Sequence, residues 1–184
     1  QGGVGFDWTV KKKNNFSGSF NYGQYGSVSD GSGDQVQTTT ALAGGAPFDQ
    51  LQILNQSHHG YSSHNIDANL NYKRTFKKKD QELEIALRTS SDHSDIISNN
   101  RQSFLPQDSL YFGRDNTSAG GERESEIQVD YSQPLGEKSN LSTGGKINFR
   151  DIDNHSDVLS LDPETSLFGY DGKLSNRLTY HQRI

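Results

Sequence analysis

Glu126-Ile127-Gln128-Val129-Asp130-Tyr131, the turn Gly136-Glu137-Lys138-Ser139, and Leu141-Ser142-Thr143-Gly144-Gly145-Lys146-Ile147-Asn148-Phe149 form the stretch that decides the fold. Apolar residues fall at every second position on both sides of a short charged turn. Side chains alternate between the faces of a strand, so each arm has one apolar face and one polar face. The pattern recurs twice upstream. Phe6, Trp8 and Val10 precede Lys11-Lys12-Lys13 and are followed by Phe16, Phe20 and Tyr22. Ile66, Ala68, Leu70 and Tyr72 precede Lys77-Lys78-Lys79-Asp80 and are followed by Leu83, Ile85 and Leu87.

The pattern predicts seven strands, at about 3–10, 16–26, 64–76, 81–91, 123–135, 140–150 and 172–184. The connections 27–63, 92–122 and 151–171 are rich in Gly, Ser, Asn and Asp and read as long loops. The first is long enough to hold a further hairpin near Gln35–Thr40 and Leu51–Leu54. Short turns at one end and long excursions at the other are the layout of a transmembrane β-barrel.

Composition agrees with that layout. Hydrophobic residues make up only 29% of the 184, yet they are concentrated in the alternating runs. A membrane barrel needs apolar side chains on its lipid face alone, because its interior is wet. No run of about 18 apolar residues exists, which excludes a membrane-spanning helix. The net charge of −5 gives no support for nucleic-acid binding. The absence of cysteine removes disulfides and thiolate metal sites. Seven strands do not close a barrel in lipid, so the chain is expected to be a piece of a larger one, an all-β partial barrel.

Charge pairing suggests a register. Setting Leu135 opposite Leu141 pairs Val129 with Ile147, Asp130 with Lys146, and Glu126 with Arg150. Cross-strand opposite charges contribute roughly 0.2–1 kcal/mol each. Setting Tyr72 opposite Leu83 pairs Lys73 with Glu82 and Asp67 with Arg88; a slide by two residues keeps only Lys73 with Glu84. The last strand adds Lys173, Arg177, His181 and Arg183 to the inner wall, with Leu174, Leu178, Tyr180 and Ile184 toward lipid. Glu126, Asp130, Lys146, Arg150, Arg177 and Arg183 are thus the expected lumen-facing, solute-contacting charges. Trp8, Tyr22, Tyr72, Phe76, Tyr131 and Tyr180 are the expected lipid-facing or interfacial aromatics, since amphipathic rings settle at headgroup depth.

Asp130-Tyr131, Pro134-Leu135, the short Lys turn and Gly145-Lys146 resemble the barrel of Bacteroidota-type outer-membrane proteins related to TonB-dependent receptors. Asn71-Tyr72, Phe76 and Leu83-Glu84-Ile85 look like the preceding hairpin of the same pattern. The resemblance covers about 64–150. It implies residence in the outer membrane, contact with its lipid, and a barrel of about 22 strands with an upstream plug. It also implies uptake of an unidentified ligand, with TonB and a surface lipoprotein as partners of the full-length parent. No plug or TonB-contacting segment is read in these residues. A passive porin or structural barrel, and a soluble secreted β-rich adhesin or binding module, are the alternatives.

Other clusters suggest less. His58, His59 and His64 carry imidazoles that bind transition metals, but with no helical spacing and no cysteine they read first as a polar loop. Asp151, Asp153 and Asp157 alternate like calcium ligands, yet His155 and Ser156 depart from the EF-hand pattern. Asp30-Gly-Ser-Gly-Asp34 reads as a flexible loop tip. No cofactor is expected. With no local nucleophile motif in the sequence, neither is catalysis.

Overall fold

The computed structural model describes residues 1–40, 47–136 and 139–184. Glu137 and Lys138 of the third turn, and residues 41–46 of the expected first loop, lie outside the described residues. The described chain is a single antiparallel sheet: β1 (Gly2–Val10), β2 (Asn14–Thr40), β3 (Pro47–Thr75), β4 (Glu82–Leu105), β5 (Ser109–Pro134), β6 (Asn140–Asp162), β7 (Leu167–Tyr170) and β8 (Asn176–Arg183). Consecutive strands pair from β1 to β6. β7 and β8 then lie in tandem along the free edge of β6. The sheet does not close on itself.

The turn between β1 and β2 puts Lys11 and Lys12 at φ of 53° and 54°. Two successive residues at positive φ match the right-handed twist of a tight hairpin. The Lys13 N–H closes the turn on the Val10 carbonyl at 3.3 Å. Asp80 makes a similar left-handed turn, φ 63°, between β3 and β4.

The three segments expected as loops are corrected by the structure. Residues 27–40 and 47–63 are the outer halves of β2 and β3, which pair from Asn14↔Arg74 up to Thr40↔Pro47. Gln35–Thr40 and Leu51–Leu54 belong to that one continuous ribbon, and Asp30-Gly-Ser-Gly-Asp34 runs through its middle. Residues 92–122 are β4 and β5, joined at 106–108. Residues 151–171 carry the outer half of β6, a turn and β7. These stretches lack apolar alternation because both of their faces meet water, and the backbone ladder holds them without it.

Registers also differ from the charge-based expectation. Ile127 pairs with Ile147 and Val129 with Gly145, two residues from the expected alignment. Tyr72 pairs with Ile85 and Lys73 with Glu84, the register that direct charge pairing ranked second. A two-residue slide keeps every side chain on its face, so the faces survive the error.

The rows across the sheet separate by chemistry. One reads Trp8, Phe16, Tyr72, Ile85, Val129 and Gly145; the next on that face reads Phe6, Gly18, Leu70, Leu87, Ile127 and Ile147. Between them, on the other face, lie Asp7, Ser17, Asn71, Ala86, Gln128 and Lys146. The apolar face stays uncovered, with Leu70 43% and Ile147 50% exposed. Ile53 and Val158 are the buried hydrophobics among the described residues. A sheet without a core of its own, showing an apolar band to its surroundings, is stable where those surroundings are hydrocarbon.

The band occupies only the end of each strand nearest the short Lys-rich turns. A membrane β-strand needs about 9–11 residues, whereas the 29 residues of β3 reach about 95 Å. Further along, the same face turns polar: Gln24, His64, His93, Gly121 and Asp153 make one of its rows. The ribbons therefore stand well clear of the membrane on one side.

Candidate functional site: the polar wall

At membrane depth the polar face carries a connected set of charges. Lys73 on β3 reaches Glu82 and Glu84 on β4, both at 2.7 Å. Arg88 on β4 reaches Glu126 on β5 at 3.1 Å, and Lys146 on β6 meets the other oxygen of the same carboxylate at 2.8 Å. Arg150 Nε lies 2.6 Å from Glu122 Oε1. Arg88 and Glu126 face each other directly; Lys146 and Arg150 reach diagonally, because Gln128 and Glu124 are their direct partners. Long side chains span a diagonal of about 7–8 Å, which is why a wall can be tied together in more than one register. Asp130 accepts from Gln128 Nε2 at 2.7 Å and leans over Gly144.

Glu126, Asp130, Lys146 and Arg150 thus share one face. Arg177 and Arg183 do not. Arg183 pairs with Phe149 and Arg177 with His155, on the face that carries the apolar band, while Tyr180 pairs with Ile152 on the polar face. Both arginines and Tyr180 are corrections to the expected wall and girdle. The backbone ladder from Asn148 to Ile184, with N–H···O distances of 2.8 and 3.0 Å, fixes this phase. A one-residue offset inverts every side chain of a strand.

Trp8 and Tyr72 flank Phe16, with ring centroids 6.0 and 4.8 Å away. The Tyr72 hydroxyl donates to Asn14 at 2.9 Å and the Tyr131 hydroxyl to Gln133 at 2.6 Å, beside the turns. Phe76 stands edge-on to Tyr131 at 6.3 Å, just past the end of β3. Tyr22 lies on the same face at the other margin of the band, paired with Ile66. Rings in the band with hydroxyls at its edge form an interfacial girdle.

The two metal candidates are dispersed by strand geometry. His58 and His64 share a face about 20 Å apart, and His59 points the opposite way. His58 pairs with Asp30 at 2.6 Å, and His64 lies beside His93, centroids 5.2 Å apart. Asp151, Asp153 and Asp157 sit at alternate positions of β6 rather than around a loop; Asp151 holds His181 at 2.6 Å and Asp153 holds Arg177 at 3.5 Å. Among the described residues, no three His, Cys, Asp or Glu side chains converge on a point that could hold a metal.

Glu122, Lys73, Glu82, Glu84 and Arg88 complete the wall but were outside the expected site. Their signal was present: each continues the period-two polar face of its strand.

An apolar band, an aromatic girdle and a charged opposite face define an outer-membrane barrel wall. Residues 74–184, more than half the chain, match the model of the outer membrane protein beta-barrel family, and the chain belongs to that family. It resides in the outer membrane. No curated protein matches the chain.

Proposed function

We infer that the chain is part of the wall of an uptake barrel in which the charged face lines the solute path. The single observation that carries this reading is the segregation of faces at membrane depth: Leu70, Ile127 and Ile147 outward, and Asn71, Glu126 and Lys146 on the reverse. Outer-membrane residence leaves no place for the soluble secreted reading. The resemblance adds the finer proposal: a TonB-dependent receptor-like barrel of Bacteroidota type, with about 22 strands in the complete protein. TonB and a surface lipoprotein would be its partners, and no catalytic step is assigned to it.

The test is conductance of the full-length protein in planar bilayers. A plugged receptor stays nearly silent until its plug is removed. A steady open-channel current from the intact protein would instead establish the passive porin.

A further inference from the structure

The outward face, which carries the apolar band, opens into a hollow of about 690 Å³ just past that band. Ser91, Ala119 and Gly121 make its floor, and their small side chains leave the sheet nearly bare there. A Cβ at Gly121 would come within 3.3 Å of the His93 ring and 2.7 Å of the Asp92 carbonyl, so glycine keeps the floor open. Depth follows from the strand. From Gln133, beside the short turn, to Arg123 at the near rim of the hollow β5 runs eleven residues, and a membrane strand takes about 9–11. Long excursions of such barrels stand on the extracellular side. The hollow therefore lies at the headgroup level of the outer leaflet.

The carboxylates around the hollow are already engaged. His181 holds Asp151 at 2.6 Å, and Arg177 holds Asp153 at 3.5 Å. Asp95, one row farther out, lies 3.4 Å from His93, whose ring stands beside that of His64 with centroids 5.2 Å apart. Asp157, the remaining outward carboxylate of β6, is three rows beyond Arg123. Asp92 and Glu122 alternate onto the polar face, where Glu122 holds Arg150. Arg123 is different: it has no ion pair among the described residues, although Asp151 is its direct partner on β6. Arg183, one row nearer the band on β8, has none either. A guanidinium at the edge of hydrocarbon is costly unless an anion meets it. It grips phosphate through two parallel N–H···O bonds, and basic pockets at the margin of a membrane span are where lipid headgroups are recognised.

We propose that this hollow seats the phosphate-bearing headgroup of an outer-leaflet lipid, with Arg123 as its phosphate contact and the acyl chains laid along the band. The site uses the face opposite the solute path, and it rests on the outward face meeting lipid.

The experiment is native mass spectrometry of the full-length protein, released from detergent after titration with bisphosphorylated lipid A or with lipid A stripped of its phosphates. The phosphorylated lipid binds at least about tenfold more tightly than the stripped one. Arg123→Gln weakens the phosphorylated lipid about tenfold, and Ala119→Phe, which fills the floor of the hollow, weakens it about as much. Thr117→Ala, on the same face beyond the hollow, changes nothing, and heat-modifiable mobility on gels verifies that each variant is folded. Millimolar inorganic phosphate leaves the lipid in place, because the free anion lacks the acyl contacts with the band. The proposal is overturned by no lipid binding, by equal affinity for the two lipids, by full affinity in either folded variant, or by displacement with millimolar phosphate, which would mark a site for the free anion. Failure of the outward assignment itself would show separately, as a nitroxide at Leu70→Cys that meets a water-soluble nickel chelate more readily than oxygen.

Discussion

Arg101 on β4 holds Asp115 on β5 at 2.6 Å and covers the ring of Phe168 at 4.3 Å, so one guanidinium ties β4, β5 and β7 together far beyond the membrane band. Phe168 in turn lies against Gly113, where an added Cβ would also meet Leu161 at 3.2 Å. The Arg101 hydrogen bond, aided by Asn99, holds the Asp115 carboxyl below its ordinary value despite partial burial. A carboxylate with a lowered folded value stabilises the fold at pH above its unfolded value, and that contribution is lost as pH falls through the folded one. Arg101→Gln should raise proteolysis at the 106–108 turn about fivefold at neutral pH, the change expected for roughly 1 kcal/mol of local stability. Hydrogen exchange over 99–117, corrected for intrinsic rates, should show wild-type protection falling toward that of the variant at pH 2.5.

Lipid-facing positions should tolerate charge only outside the band. Val129→Arg should destabilise the vesicle-inserted barrel by about 2–4 kcal/mol, and Ile97→Arg, on the same face beyond the band, by about 0–1 kcal/mol. Denaturant titration in phospholipid vesicles reads the difference.

Two adjacent glycines should respond oppositely to alanine. A Cβ at Gly144 would collide with the Asp130 carboxylate and come within 2.9 Å of the Val129 carbonyl, whereas nothing lies within 4 Å of one at Gly145. Gly144→Ala should cost about 1–3 kcal/mol in the same titration, and Gly145→Ala should leave the midpoint unchanged or slightly raised.

The chain has no cysteine, so the register can be read by disulfide trapping. Oxidised Tyr72→Cys/Ile85→Cys should cross-link, because these residues are direct partners. Tyr72→Cys/Leu83→Cys, the pairing suggested by direct charge matching, should cross-link far less.

The faces and the turn-proximal strand ends were legible in the sequence; the rest was hidden for identifiable reasons. Ile127, Val129 and Ile147 announce their face by alternation, since lipid demands apolar side chains there. The register was not legible, because Lys73 reaches both Glu82 and Glu84 and Lys146 reaches Glu126 diagonally, so direct charge matching overweights one alignment. Ser57, Asn100 and Asn116 read as loop residues, yet they sit in ribbons wet on both sides where only backbone pairing enforces the strand. Arg183 misled for a third reason: the apolar alternation of β8 is real, but the ladder sets it out of phase with β6. Of the wall, Glu126, Asp130, Lys146 and Arg150 could be read from one hairpin. Lys73 announces itself by the opposite charges of Glu82 and Glu84 across from it, whereas the part of Glu122 emerges only with its diagonal contact to Arg150.

Single-cysteine scanning of residues 58–72, with the protein in lipid vesicles, tests the central claim most directly. Each thiol is labelled with a nitroxide, and its exposure to oxygen, which partitions into lipid, is compared with exposure to a water-soluble nickel chelate. From 66 to 72 the account predicts strict alternation, with Ile66, Ala68, Leu70 and Tyr72 positions favouring oxygen and Asp67, Asn69 and Asn71 positions favouring nickel. From His64 outward to His58 the oxygen preference should vanish from both faces. Uniform nickel exposure across 66–72, or oxygen preference at Asn69 and Asn71, would contradict it.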